Sequence, residues 1–139
     1  APSADAGESN WETEEFDSRS QRPLPAIWGN EDVVWLAGDG GSLRRLVRAN
    51  MQENNSFEIV PSPVSTDIKG LFGFGANDVW AVGDESTVLH WDGTSWTKLS
   101  TPFDDADVKP HLVAVWGSSP DDVWLVGDGT ILHFQGNAP

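Results

Sequence analysis

The chain of 139 residues has no cysteine and no tyrosine, a single methionine, and only 8 lysines and arginines against 22 aspartates and glutamates. Without thiols there can be no disulfide, thiolate metal site or cysteine nucleophile, although the compartment stays open. A formal charge of −14 excludes the basic footprint that nucleic acids and anionic membrane surfaces require. No apolar run approaches a membrane span, and no charged-then-apolar signal segment opens the chain, so neither nucleic-acid binding nor membrane insertion is expected. Also missing are a Gly-x-Ser-x-Gly elbow and a phosphate loop. The paired carboxylates Asp104-Asp105 and Asp121-Asp122 fall in turns, with no apolar surroundings to separate their pKa values. Repeated aspartates could in principle gather calcium, but no Asp-x-Asp-x-Asp loop occurs. The chain is therefore read as non-enzymatic, with no catalytic residue, no metal and no cofactor.

What the chain has in abundance is tryptophan, 8 residues beside 6 phenylalanines, and the tryptophans recur. One phrase is written three times: Trp28-Gly29…Asp32-Val33-Val34-Trp35-Leu36-Ala37-Gly38-Asp39, Phe72-Gly73…Asp78-Val79-Trp80-Ala81-Val82-Gly83-Asp84, and Trp116-Gly117…Asp122-Val123-Trp124-Leu125-Val126-Gly127-Asp128. Trp35, Trp80 and Trp124 are spaced by 45 and 44 residues. A fixed period of that size, built of short apolar runs broken by Gly and Asp, is the signature of four-stranded propeller blades. The middle repeat reads as strands 69–73, 78–83, 87–91 and 96–100, with Asp92-Gly93 as a hairpin turn. The first repeat follows the same plan, with strands 42–48 and 57–60 flanking a swollen turn over 49–56.

The third repeat runs out after its third strand, near Gln135-Gly136. A match for the missing strand stands at the other end of the chain, where Ser9-Asn10-Trp11-Glu12-Thr13 aligns with Thr94-Ser95-Trp96-Thr97-Lys98. The expected organisation is a flexible segment 1–7 followed by a three-blade unit over 8–139. Blade 1 covers about 24–63, blade 2 about 68–102, and blade 3 about 112–136 plus the outer strand 8–17. Because propellers close with about four to eight blades, three call for completion. Two chains forming one six-bladed ring by exchanging the strand 8–17 would provide it, with closed two-fold symmetry. The alternative is that the chain is part of a longer propeller.

The recurrent Asp-Val-Trp strands suit packing between blades. Candidate ligand-binding positions are the rings at the starts of outer strands, Trp11, Trp96 and Phe57, read as half-exposed, with Asn10, Asp92 and Thr94 as hydrogen-bonding neighbours. Trp28 and Trp116 join them, because they end innermost strands near a rim. A half-exposed indole can stack on the apolar face of a pyranose. Arg44, Arg45 and Arg48 break the repeat in an acidic chain and form a candidate partner-binding surface. His90 and His133 occupy equivalent positions, with Arg45 in their place in the first repeat; they read as structural.

The segments Phe72–Trp96 and Val115–Gly129 resemble the repeats of bacterial exported β-propellers, which are related to Asp-box (BNR) repeats and to the Ycf48-like propellers of photosystem II assembly. With the first repeat, the resemblance covers nearly the whole chain. Asp92-Gly93-Thr94-Ser95-Trp96 only approximates an Asp-box, and the arginines and tyrosine of sialidase catalysis have no counterparts. The resemblance thus implies an all-β scaffold that mediates protein–protein interaction or assembly. By analogy with propellers that close from short repeat chains, an oligomeric lectin binding carbohydrate is the alternative. The small, polar opening Ala1–Ser9 suits an exported chain, extracellular or periplasmic, with room for an anchor removed in processing.

Overall fold

Residues 23–50 and 57–136 are described by a computed structural model of the chain. Each repeat forms one antiparallel sheet in sequence order. The first contains β1 (Ala26–Gly29), β2 (Val33–Ala37), β3 (Leu43–Val47) and β4 (Glu58–Ile59). The second contains β5 (Ile68–Gly75), β6 (Asp78–Gly83), β7 (Thr87–Trp91) and β8 (Trp96–Lys98). The third contains β9 (Leu112–Ser119), β10 (Asp122–Gly127) and β11 (Thr130–Gln135). The fold is all-β, with the blades of a propeller. The strand expected over 8–17 lies outside the described residues, as does most of the turn after β3.

β1, β5 and β9 lie side by side as the innermost strands of consecutive blades. Alternation along the strands then gives each sheet two faces. On β6, Val79 and Ala81 face blade 1, where they pack with Leu71, Leu89, Trp91 and Trp96 against Val33, Trp35, Ala37 and Leu43. Trp80 and Val82 face the other way, and with Val88 they meet Leu112, Val123 and Leu125 of blade 3. Both faces of blade 2 are therefore core, which explains why Val79–Gly83 is buried throughout.

The recurrent Gly-Asp after each second strand has a steric cause. The backbone N–H of Asp39, Asp84 and Asp128 donates to the carbonyl of Pro23, Asp67 and His111 respectively, at 2.8–3.1 Å. A Cβ on Gly38, Gly83 or Gly127 would collide with that same carbonyl. Glycine lets the incoming chain cross the end of the second strand, and the following amide fastens it there.

The first strands make a second repeated contact. The indole of Trp28 lies over Gly73 of the next blade, where a Cβ would come within 2.6 Å of the ring. Phe74 lies over Gly117 of blade 3 in the same way. An aromatic ring from one blade resting on a glycine of the next spaces neighbouring blades.

Candidate functional site

The predicted site residues are dispersed, and several have structural tasks. Trp96, expected to be half-exposed, is 5% exposed. Its ring meets Trp35 edge-on, with centroids 5.0 Å apart, and Trp91 at 5.8 Å. The outer strand is short and turns its first ring inward to fill the wedge between blades 1 and 2, so Trp96 is not presented for stacking on a sugar. Asp92 Oδ1 accepts from the amides of Thr94 and Ser95, at 2.8 and 3.0 Å, closing the β7–β8 hairpin. The two bonds to the charged form, Ser95 foremost, hold the Asp92 carboxyl below its ordinary value. Phe57 is half-buried just before β4. Trp28 packs against the first core cluster, whereas Trp116 is 56% exposed. Asn10 and Trp11 lie outside the described residues.

The three arginines do not make one open basic surface. Arg44 is buried, on the face of blade 1 turned away from blade 2. Arg45 pairs with Glu58, its Nε 2.6 Å from Oε1, and its guanidinium sits 5.2 Å from the Trp91 ring centroid and 5.6 Å from that of Trp35. It lids the aromatic cluster and contributes through packing as much as charge. Arg48 is exposed, with Nη1 bonded to the carbonyl oxygen of Asn30 at 3.1 Å. β-alternation separates Arg44 from Arg45, and the short 3-10 turn after Val47 re-aims Arg48.

An aspartate–histidine clasp recurs in two blades. His90 Nε2 is 2.7 Å from Asp78 Oδ1, and His133 Nε2 is 2.5 Å from Asp122 Oδ1. In blade 1 the turn before the second strand is closed by Asn30, whose Oδ1 accepts from the amides of Asp32 and Val33. Asp122 also accepts from Ser118 Oγ and from Trp124 Nε1. Together these donors, Ser118 first and His133 next, hold its carboxyl below the ordinary value. The clasp ties the second strand to the third at the Trp-bearing face. Its sequence signal was the recurrence of Asp78…His90 and Asp122…His133, spaced 12 and 11 residues apart. Among the described residues, no group of three or more His, Asp or Glu side chains is gathered to hold a metal ion.

Two open surfaces stand out among the described residues. One is a groove of about 220 Å³ where the inner strands converge, lined by Pro25–Ile27, Lys69–Leu71 and Val113–Val115, with Ile27 66% and Val113 51% exposed. The other is the face of blade 3 turned away from blade 2, where Trp116, Trp124, Val126 and Ile131 lie exposed. Among the described residues, no helix is long and apolar enough to cross a membrane.

No family model and no curated protein matches the sequence. Solved structures do match in fold. A structure described as YCF48 bound to D1 peptide aligns with a TM-score of 0.66 at 20% identity, covering 87% of this chain and 40% of that one. YCF48 from Cyanidioschyzon merolae aligns with a TM-score of 0.65 at 20% identity, covering 88% and 41%. The sheets are thus Ycf48-like propeller blades in fold, and the chain spans about two fifths of the length of these propellers.

Proposed function

We propose that the chain is a non-enzymatic propeller module that holds a protein partner through an extended peptide segment, as part of a ring built from more than one copy. The observation carrying this reading is the inner-strand groove. Its walls are backbone and aliphatic side chains from all three blades, and Ile27 and Val113 stand exposed with Lys69 between their strands. A pre-formed groove whose lining is polar and apolar in nearly equal parts suits both the backbone and the side chains of an extended peptide. The structure described as YCF48 bound to D1 peptide supports a peptide or protein as the kind of partner. An exported location, extracellular or periplasmic, accompanies the proposal.

Panning a displayed library of linear peptides against the folded protein tests it. Enriched sequences should carry aliphatic anchors, and binding by synthetic copies should fall at least about tenfold on Ile27→Asp or Val113→Asp, the loss of one buried aliphatic anchor. Absence of enrichment, or binding indifferent to both substitutions, would reject the groove. A glycan array run in parallel tests the lectin reading.

A further inference from the structure

The groove where the inner strands converge is one set of positions used three times. Aligning the blades on Trp28, Phe72 and Trp116 makes residues 25–27, 69–71 and 113–115 equivalent, and these residues are its lining. The middle position is Ala26, Gly70 or Ala114, so little side chain covers the floor. Gly70 is the tightest point, because a Cβ there would come 3.1 Å from the Val113 carbonyl oxygen. Each of β1, β5 and β9 is also the edge strand of its sheet. One row of backbone N–H and C=O groups on each strand is therefore not used in a ladder.

The equivalent triplets differ in chemistry at their first residue, which is Pro25, Lys69 or Val113. In β5 this residue is bulged out of register, since Ile68 pairs with Gly83 and Gly70 with Val82, leaving Lys69 opposite no residue. Leu112 and Ala114 bracket Val113 in the same way in β9. A bulge re-aims the side chain of its extra residue, and here it does so at matching places on adjacent strands. In blade 1 the place belongs to proline, which has no amide to give to a ladder. The backbone around the groove thus repeats, while one side chain per blade is free to set what it recognises.

Lys69 supplies the cation. In a chain with 8 basic and 22 acidic residues, other basic side chains are engaged: Arg45 with Glu58, Arg48 with the Asn30 carbonyl oxygen, and Lys109 with that of Ala106. Lys69 is half-buried, and no ion pair among the described residues includes it. Holding an ammonium partly out of water without a carboxylate is a cost that an incoming anion removes.

Resting on the peptide reading of the groove, we infer that the bound segment carries one aspartate or glutamate, whose carboxylate pairs with Lys69, between two aliphatic residues. β5 lies between β1 and β9, so Lys69 has exposed Ile27 on one side and exposed Val113 on the other. A side-chain carboxylate can have an aliphatic neighbour on both sides along a peptide. The carboxylate that ends a chain has a neighbour on one side only. Unpaired amides of the strand edges can donate to the second carboxylate oxygen, and such charge-assisted bonds are the strong ones. One ammonium matches one negative charge, and the formal −14 of the chain opposes more. A single carboxylate therefore fits better than a phosphate or a run of acids.

Panning linear peptides, displayed with their carboxyl ends joined to the carrier, against wild type, Lys69→Gln and Lys69→Glu tests the assignment. On wild type, one Asp or Glu between aliphatic residues should be enriched. Lys69→Gln should keep the aliphatic pair and lose the acid, and Lys69→Glu should replace the acid with Lys or Arg. In a synthetic copy amidated at its carboxyl end, exchanging the acid for its amide should weaken binding about tenfold on wild type and leave it unchanged on Lys69→Gln. β-sheet circular dichroism checks that each variant is folded, with Lys69→Met, which keeps an apolar stem without the charge, as the substitute for one that is not. Aliphatic peptides enriched without an acid, or the same acid enriched on Lys69→Gln, overturn the carboxylate and leave the groove reading standing. No enrichment on any of the folded proteins overturns both.

Discussion

At Asp122 three donors converge on one carboxylate: the Ser118 hydroxyl, the indole N–H of Trp124 and the imidazole of His133. All three favour the charged form, so its pKa is held below the ordinary 3.8 in the folded chain. The sign follows from proton linkage. Above 3.8 the carboxyl is charged in both states, and its bonds contribute their full stabilisation; as the pH falls through the lowered value, the unfolded chain takes up the proton first and the contribution disappears. Asp92 and Asp104 are lowered in the same direction by backbone amides, Ser95 and Thr101 first. Asp122→Asn should therefore flatten the acid limb of the stability curve below about pH 4. Urea midpoints measured from pH 2 to pH 7 check this, and an acid limb as steep as wild type would contradict it. The clasp itself was half legible in the sequence. The Asp and His positions repeat, but only strand pairing reveals that they face one another across β10 and β11.

At the scale of the element, each blade is a short meander whose two faces have different neighbours, and the first strand is where blades come closest. Gly73 of β5 sits under the Trp28 ring with 2.6 Å between the indole and the place a Cβ would occupy. Gly73→Val forces the ring aside or pushes blade 2 from blade 1, an overpacking that costs about 1–3 kcal/mol. Chemical denaturation should show a lowered midpoint with an unchanged slope. Gly75, where a Cβ would meet nothing within 4 Å, is the control, and equal losses at both positions would show that close approach is not the cause. The Trp-Gly dipeptide was visible in the sequence as the end of a strand. That Trp28 lies on the glycine of the next blade, and that Gly117 takes Phe74 in the same way, was not, because side-chain alternation assigns faces only once the order of the sheets is known.

At the scale of the whole molecule, the chain carries a formal charge of −14. Like charges that the fold holds together repel, and the repulsion is screened over about 10 Å at 0.1 M salt. Stability should therefore rise with ionic strength. Sodium chloride raised from about 10 mM to about 150 mM is expected to increase the melting temperature; a fall would indicate that ion pairs such as Arg45–Glu58 outweigh the repulsion. Among the described residues the main contacts between blades join consecutive blades, as in other repeat proteins, so an exposed face at one end belongs to the row of blades and not to any one blade. The Trp124 face is such a face.

Periodicity alone determined that the chain is a row of propeller blades, because a 44–45-residue repeat of apolar runs and Gly-Asp turns can bury its faces only by stacking. Composition alone also argued against a basic binding surface and against thiol chemistry. Tertiary structure decided the roles of the rings and charges. Trp96 left the list of open sugar platforms because the wedge between blades draws it in, and the arginine run came apart because alternation along β3 sends Arg44 and Arg45 to opposite faces. Trp35, Trp80 and Trp124 stand in the same sequence context, yet they are 0%, 4% and 39% exposed. A local pattern specifies which side of a strand is apolar; only the arrangement of whole sheets specifies whether anything lies against it.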